Sequence, residues 1–184
     1  DGYWSRGLGD VYKRQFSKDE NLTNAIQRIQ RESEIAVRKG ITQLILTDKN
    51  LSFERLPMPM LLCVGAINTY LIEKKLRGYV SINVQSGEAL DTHSFATLIG
   101  VGATTVNPYL AFDSLYHRHE KKLFGQYSFD DCVARYIKSV NAGLLKIMSK
   151  MGISVLSSYR GGCNFETVGL SRAIVSDYFP GMSS

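Results

Sequence analysis

Short apolar runs alternate with longer amphipathic segments along most of this chain, and that alternation limits its fold more than any other feature. Two runs, "QLILT" at 43–47 and "YVSINVQ" at 79–85, are followed by polar residues, which is typical of buried strands. A third strand is predicted in "GVGATTV" at 100–106, after a glycine turn, and a fourth in "ISVL" at 153–156. Strands that alternate with helices predict a parallel sheet with right-handed crossovers.

Helical segments lie between these runs, and several have recognisable ends. Ser17 and Glu20 in "SKDE" predict a capping box that opens the first helix, and Gly40 predicts its end. Pro57 is predicted to open a second helix that reaches about Lys75. Shorter helices are predicted at about 94–99, 107–119 and 171–179.

A longer helix is predicted to start at Ser128, where Asp131 completes a capping box, and to end at Gly152. Gly143 is expected to bend or split this helix. Its apolar positions recur at helical spacing, which predicts a buried stripe and not a cofactor site. The stripe consists of Cys132, Tyr136, Val140, Leu144, Met148 and Met151.

Four strand–helix units can build either an open α/β sheet or half of a (β/α) barrel, and the short apolar strands favour the half barrel. The predicted fold class is therefore α/β: a partial (β/α)-barrel-like half with about four parallel strands and flanking helices. Residues 1–15 show neither helical nor strand periodicity, so we interpret them as a disordered leader or a translated remnant foreign to the domain. The predicted domain piece is 16–184.

Composition excludes several classes of protein. With 44% hydrophobic and 21% charged residues, the chain is not expected to be disordered. Its net charge of +5 is spread over helical faces together with acids, without the basic patch that nucleic-acid binding requires. The longest apolar stretch, 58–72, falls short of the ~18 residues of a membrane span. Cys63, Cys132 and Cys163 lie far apart and are odd in number, which favours a reducing compartment, so a cytoplasmic protein is predicted.

In a parallel sheet of this kind, functional groups gather at the carboxyl ends of the strands. Asp48 and Glu88 follow the first two strands, where they could act as paired carboxylates in catalysis or simply cap a helix. His93 lies early in the next helix, where it could orient the neighbouring loop or be a satisfied structural histidine. No metal site is predicted, because His117 and His119 do not share a helix face.

Arg160 stands in the glycine turn "SYRGG", directly after the predicted fourth strand. Its planar guanidinium suits a carboxylate or a phosphate, and Gly161 and Gly162 allow close backbone approach. Arg160 is then either a clamp for a substrate or small anion, or a fixed salt bridge that joins this segment to another domain. The residue pattern leaves both interpretations open.

Several longer motifs point to a family. They are "LPMPMLLCVGAI" at 56–67, "SGEALDTHSFATLIGVGA" at 86–103, "VNPYLAF" at 106–112, "GLLKIMSKMGIS" at 143–154, and "SYRGG" followed by "FETVGL" within 158–170. In this order they resemble the central domain of the glutamate synthase large subunit, over roughly 16–182. The chain departs from that family at His93 and Ser94, where two histidines are usual, and at Gly162 and Cys163, where Ala-Gln is usual.

The resemblance implies a multidomain oxidoreductase that makes two L-glutamates from L-glutamine and 2-oxoglutarate. In that family glutamine is hydrolysed in an amidotransferase domain, and ammonia travels through an internal tunnel. The imine formed from 2-oxoglutarate is reduced through FMN and a [3Fe-4S] cluster, with NADPH, NADH or ferredoxin as the reductant. The implied partners are the amidotransferase and FMN domains of the same polypeptide, and a small reductase subunit or ferredoxin. In a phototroph the protein would be expected in a plastid.

For this chain the resemblance implies a connecting segment near the tunnel, without catalysis of its own. It contains no N-terminal cysteine nucleophile, three-cysteine cluster motif or match to the family's FMN-binding segment, so no cofactor is expected to bind. Arg160, Asp48, Glu88 and His93 are accordingly predicted to be structural or interdomain residues. The alternative is a free-standing α/β module that binds a small anion with Arg160 and the glycine turns.

Overall fold

The computed structural model describes residues 10–13, 15–17, 19–49, 52–162 and 164–183. In chain order the elements are β1 (Asp10–Lys13), β2 (Gln15–Ser17), α1 (Leu22–Arg38), β3 (Gln43–Thr47), β4 (Arg55–Pro57), α2 (Met60–Glu73), β5 (Ser81–Gln85), α3 (Thr92–Gly100), β6 (Thr105–Asn107), α4 (Tyr109–Glu120), α5 (Phe129–Lys150), α6 (Leu156–Tyr159) and α7 (Arg172–Tyr178). A single 3-10 turn, Arg77–Tyr79, leads into β5.

The central sheet has four parallel strands in the order β1-β3-β5-β6. β3 pairs with β5 along its whole length, from Gln43 opposite Ser81 to Thr47 opposite Gln85. β2 and β4 form a separate antiparallel pair. Helices flank the parallel sheet, which confirms the predicted α/β fold class with about four parallel strands.

The core lies where the sheet meets the helices, and α2 is its main helical component. Leu44 and Leu46 of β3 and Ile82 and Val84 of β5 are at most 2% exposed. Eight of the 14 residues of α2 are buried, which explains the long apolar stretch at 58–72 as a core helix. Within the described ranges, no helix combines the length and apolarity needed to cross a bilayer.

The start of α1 differs from the prediction. Asn21 is the N-cap residue, and its side chain accepts a hydrogen bond from the backbone N–H of Thr23 at 2.8 Å. Ser17 belongs to β2, where pairing with β4 holds the chain extended, so the predicted capping box at Ser17 is wrong. Gly40, with φ of 90°, follows the end of α1 as predicted.

α2 begins at Met60 and not at the predicted Pro57. Pro57 is the last residue of β4, in a two-stranded pair whose outer edge tolerates proline. Met58 precedes Pro59, and the residue before a proline is disfavoured in the helical region. The helix therefore starts after Pro59, which is its N-cap residue.

The predicted fourth strand at 153–156 is wrong. Val155 and Leu156 are 52% and 43% exposed, and Leu156 begins the short helix α6. An apolar run becomes a strand only where another strand pairs with it, and none of the described strands pairs with this one. The fourth parallel strand is β1, which lies within the leader and runs beside β3. That residues 1–15 are foreign to the domain stays a prediction.

α5 has the predicted start and end. Ser128 and Asp131 form the capping box, with 2.7 Å between Ser128 Oγ and Asp131 Oδ2. Gly152, with φ of 71°, follows the last turn. α5 continues unbroken through Gly143, so the predicted split is wrong, and a bend at Gly143 stays a prediction. A Cβ at Gly143 would lie 2.5 Å from Cγ2 of Thr92, so this glycine lets α5 approach α3 closely.

The predicted apolar stripe of α5 is mostly in the core. Cys132, Val140 and Met148 are buried, and Tyr136 and Leu144 pack against the core from partly buried positions. Met151 is 41% exposed and is the C-cap residue of α5, so its placement in the core is wrong. The helical periodicity has ended before this position.

Candidate functional site

The ends of β3 and β5 bring two of the predicted site residues, Asp48 and Glu88, to the same edge of the sheet. Ser86 connects them, because its hydroxyl donates to Asp48 Oδ2 at 3.0 Å and accepts from the backbone N–H of Glu88 at 3.1 Å. The Asp48 carboxylate is therefore linked through Ser86 to the backbone of Glu88 at the carboxyl edge of the sheet.

Asp48 is buried, with 4% of its surface exposed. Its Oδ2 also accepts a hydrogen bond from the backbone N–H of Gly87 at 2.9 Å. Its own backbone N–H donates to the carbonyl of Gln85 at 3.3 Å. A buried carboxylate is stable when protein donors satisfy it, and here it fastens the loop after β5 to the end of β3.

Glu88 acts at the start of α2. Its Oε2 accepts a hydrogen bond from the backbone N–H of Met60 at 3.0 Å. Pro59, the N-cap residue, makes no side-chain capping bond, so Glu88 supplies a negative charge at this helix N-terminus from a distant part of the chain. Glu88 thus caps the preceding helix α2 and not the helix that follows it.

Other described residues at this edge also contact one another. Thr47 Oγ1 donates to Gln85 Oε1 at 2.8 Å, and Lys49 Nζ lies 5.1 Å from the ring centroid of Tyr109. A Cβ at Gly87 would lie 2.5 Å from Cδ1 of Leu110. The loop after β5 is therefore packed directly against α4.

His93 lies apart from this network. It is exposed in the first turn of α3. The N-cap residue is Asp91, which accepts from the backbone N–H of Ser94 at 2.8 Å. The hydrogen bonds from Ser94, helped by the nearby His93, lower the pKa of Asp91.

Arg160 lies at the opposite, amino edge of the sheet. It is the C-cap residue of α6 and lines a cleft with Thr42, Ser81 and Thr104, which lie at the starts of three parallel strands. The prediction that Arg160 follows a strand and joins the strand-end residues is wrong, because 153–156 is not a strand. A small-anion site built from Arg160 at the carboxyl ends is excluded with it.

The turn that carries Arg160 is anchored on α3. Tyr159 is 1% exposed, and its hydroxyl donates to the carbonyl of Ala96 at 3.0 Å. Burial raises the pKa of Tyr159, which keeps this hydroxyl a donor. The backbone N–H of Gly161 donates to the carbonyl of Ile99 at 3.3 Å, and Gly161 has φ of 70°. Arg160 is thus held between two fixed residues.

Sequence reasoning missed Arg77, which lines the same cleft. Its Nε donates to Asn68 Oδ1 at 2.7 Å, and its terminal nitrogens donate to the carbonyls of Val80 and Gly102. Burial, and then repulsion from Arg160, lowers the pKa of Arg77. A single arginine before a strand gives no local signal that its guanidinium is half-buried, so the pattern could not reveal it.

Metal ligands are absent from the part of the chain that the structure describes, since no three His, Cys, Asp or Glu side chains cluster there. Cys63 and Cys132 are buried in different helices, α2 and α5. Cys163 lies outside the described residues.

Sequence comparison identifies related proteins. The family model of the glutamate synthase central domain matches residues 6–171. The large chain of NADPH glutamate synthase from Azospirillum brasilense is 54% identical over 165 residues, and that from Bacillus subtilis is 43% identical over 165 residues. Each match covers 90% of this chain and 11% of the relative. Ferredoxin-dependent glutamate synthase from Pyropia yezoensis is 42% identical over 176 residues, which are 90% of this chain and 11% of that protein.

Structural comparison finds TIM-barrel flavoenzymes. A flavocytochrome b2 double mutant with sulfite bound superposes with a TM-score of 0.54 at 15% identity, covering 84% of this chain and 39% of that chain. A ligand-free DHODH from Eimeria tenella gives a TM-score of 0.50 at 16% identity, covering 82% and 38%. At such identities the likeness shows the fold, which is TIM-barrel-like. With a family match over most of its length and the expected parallel sheet, this chain belongs to the glutamate synthase central domain family.

Proposed function

We propose that this chain is a connecting segment of a glutamate synthase large chain, the enzyme that makes two L-glutamates from L-glutamine and 2-oxoglutarate with a reductant. Its work is to hold the amidotransferase and FMN domains of the same polypeptide in position along the ammonia tunnel. The observation that carries this proposal is that both strand-end carboxylates are engaged by protein donors, Asp48 by Ser86 and Gly87, and Glu88 by Met60.

Catalysis at this edge is disfavoured by access. A general acid or base must come within hydrogen-bond reach of its substrate. Asp48 is 4% exposed, and the Gly87 loop beside it packs against Leu110 of α4. Glu88 is exposed, but its carboxylate is engaged at the N-terminus of α2, so we assign no reaction step to either residue.

The parent enzyme is proposed to use FMN, and the residues of this chain do not fit that group. A flavin phosphate needs cationic side chains or available backbone N–H groups. At the strand ends the N–H groups of Gly87 and Glu88 are already bonded, and two carboxylates lie beside them. The paired arginines, Arg77 and Arg160, lie at the other edge. FMN is therefore assigned to another domain of the parent.

The [3Fe-4S] cluster of the parent does not fit the two cysteines that the structure describes either. Such a cluster is held by cysteine thiolates, and Cys63 and Cys132 are buried in separate helices. The reductant is also proposed to act elsewhere, because one relative uses NADPH in its name and another uses ferredoxin, although this segment is similar in each. A small reductase subunit or ferredoxin would meet other domains. We propose a cytoplasmic location, or a plastid in a phototroph, as in the chloroplastic relatives of rice and spinach.

A chimeric enzyme tests the proposal. In the Azospirillum brasilense large chain, the 165 matched residues are replaced by those of this chain. We expect glutamine hydrolysis coupled to glutamate formation in the chimera, and neither activity in the 184-residue chain by itself. A matched control replaces the same residues by a Gly/Ser linker of equal length, and it should lose the coupling. Equal coupling in the linker control, or turnover by this chain by itself, would contradict the proposed role.

A further inference from the structure

The cleft at the amino edge of the sheet concentrates positive charge. Arg77 and Arg160 line it, and its volume is about 360 Å³. Its other lining residues are mainly polar or glycine: Thr42, Gln43, Gly78, Tyr79, Val80, Ser81 and Thr104. In the described ranges the ion pairs are those of Arg28 and Arg38, and no described carboxylate pairs with Arg77 or Arg160.

The guanidinium of Arg77 is held in a fixed orientation. It donates to the side chain of Asn68 and to the carbonyls of Val80 and Gly102, all of them neutral acceptors. Asn68 is itself 8% exposed and packed against Gly102, where a Cβ would lie 2.4 Å from its side-chain carbon. A guanidinium has more N–H groups than these three bonds use, so donors remain for a further acceptor.

Arg160 lines the same cleft as Arg77, and the like charges of the two guanidiniums repel. An arginine stays protonated under such conditions, so the repulsion is not relieved by loss of a proton. An anion placed between two guanidiniums converts this repulsion into two charge-assisted contacts. We propose that the cleft binds a carboxylate side chain from another segment of the parent polypeptide, bridged by Arg77 and Arg160.

The shape of the cleft favours a side chain over a small molecule. Pockets for small ligands bury most of the ligand surface. Here Thr42, Gly78 and Arg160 are exposed, and Tyr79 is 71% exposed, so the cleft is open to solvent and would leave much of a small ligand uncovered. This inference rests on the proposed function, because the carboxylate comes from the part of the large chain that lies outside the matched 11%.

Substitution of Arg160 tests the inference, because it should lower the melting temperature of the chimera but not that of this chain by itself. In the chimera described above, Arg160→Gln should lower the melting temperature and the ratio of glutamate formed to glutamine hydrolysed. Arg160→Lys should recover part of both losses, because it keeps the charge and loses the planar fork. In the 184-residue chain by itself, Arg160→Gln should leave the melting temperature unchanged or raise it, because it removes only repulsion. Arg172→Gln, an exposed arginine outside the cleft, is the control and should change neither quantity.

Inorganic phosphate distinguishes a free anion from a side chain. A free-anion site would show three results together. Phosphate would raise the melting temperature of the 184-residue chain, Arg160→Gln would weaken phosphate binding by about tenfold, and the same variant would leave the chimera unaffected. These three results would overturn the inference. It is also overturned if Arg160→Gln is neutral or stabilising in a coupled chimera and phosphate has no effect. A chimera that fails to couple before any substitution contradicts the proposed function itself, and the inference with it.

Discussion

Replacement of Asp48 by alanine removes the acceptor that fastens the loop after β5 to the end of β3. In the folded chain its carboxylate accepts from the hydroxyl of Ser86 and the backbone N–H of Gly87. Both Asp48 and Ser86 are buried, at 4% and 0% exposure, so solvent does not readily replace the lost acceptor. We expect Asp48→Ala to destabilise the fold without unfolding the strands on either side.

The magnitude follows from these two bonds. A hydrogen bond to a charged group contributes about 2 kcal/mol to stability. Gly87 is half-buried and can take a water in the variant, so the loss is less than the sum of two bonds. We expect the free energy of unfolding to fall by about 3 kcal/mol in Asp48→Ala. Asp48→Asn keeps one acceptor oxygen and loses the charge, so its loss should be about 1 kcal/mol.

Urea unfolding of the 184-residue chain, followed by far-UV circular dichroism, measures these losses. Asp113→Ala is the matched control, because Asp113 is exposed on α4. Its effect should stay within about 0.5 kcal/mol. Combining Asp48→Ala with Ser86→Ala should cost less than the sum of the single variants, since the two residues share a hydrogen bond.

The reasoning is refuted if Asp48→Ala falls within the range of the Asp113→Ala control. It is also refuted if Asp48→Asn costs as much as Asp48→Ala. In that case the acceptor oxygen that asparagine keeps would contribute nothing to stability, and the charge would account for the whole loss. Strict additivity of Asp48→Ala and Ser86→Ala would show that the two residues act separately.

Two further predictions concern packing and pH. Gly100→Ala should lower the free energy of unfolding by about 2 kcal/mol, because the added Cβ would lie 2.1 Å from Cε2 of Phe165. The loss should be smaller in a Phe165→Ala background, and an equal loss there would contradict the clash. Hydrogen bonds from Ser128 lower the pKa of Asp131, so this carboxylate stabilises the fold above its unfolded pKa of about 4 and loses that effect as the pH falls through its folded pKa. Asp131→Asn should therefore show a smaller fall in melting temperature between pH 6 and pH 3 than the parent chain, and an identical fall would refute it.

Much of the fold could be predicted from local pattern. β3 and β5 were placed by short apolar runs, and α5 by the capping residues Ser128 and Asp131. These signals are local, because a buried strand and a capped helix each need particular residues within a few positions of one another. The longer motifs within 56–170 indicate the glutamate synthase central domain, and the family match confirms it.

The candidate site was predicted in part. Asp48 and Glu88 lie together at the carboxyl edge, because strands β3 and β5 end there in register. The sequence pattern does not reveal that Glu88 caps α2, because the backbone N–H that its carboxylate binds belongs to Met60, 28 positions away. His93 and Arg160 do not join them. Arg77 was missed because its half-buried guanidinium is held by Asn68 and by the carbonyls of Val80 and Gly102, and Gly102 lies 25 positions away.

By itself the sequence determined the α/β class, the positions of most helices and the family, because periodicity, caps and motifs act over short distances along the chain. The tertiary structure decided which apolar runs become strands and which edge each charged residue reaches. The run 153–156 pairs with none of the described strands and is mostly exposed, whereas Asp10–Lys13, without any periodic pattern, pairs with β3. The physical reason is that a strand is completed by hydrogen bonds to a neighbour far away in sequence, and a pattern within the strand does not specify that neighbour.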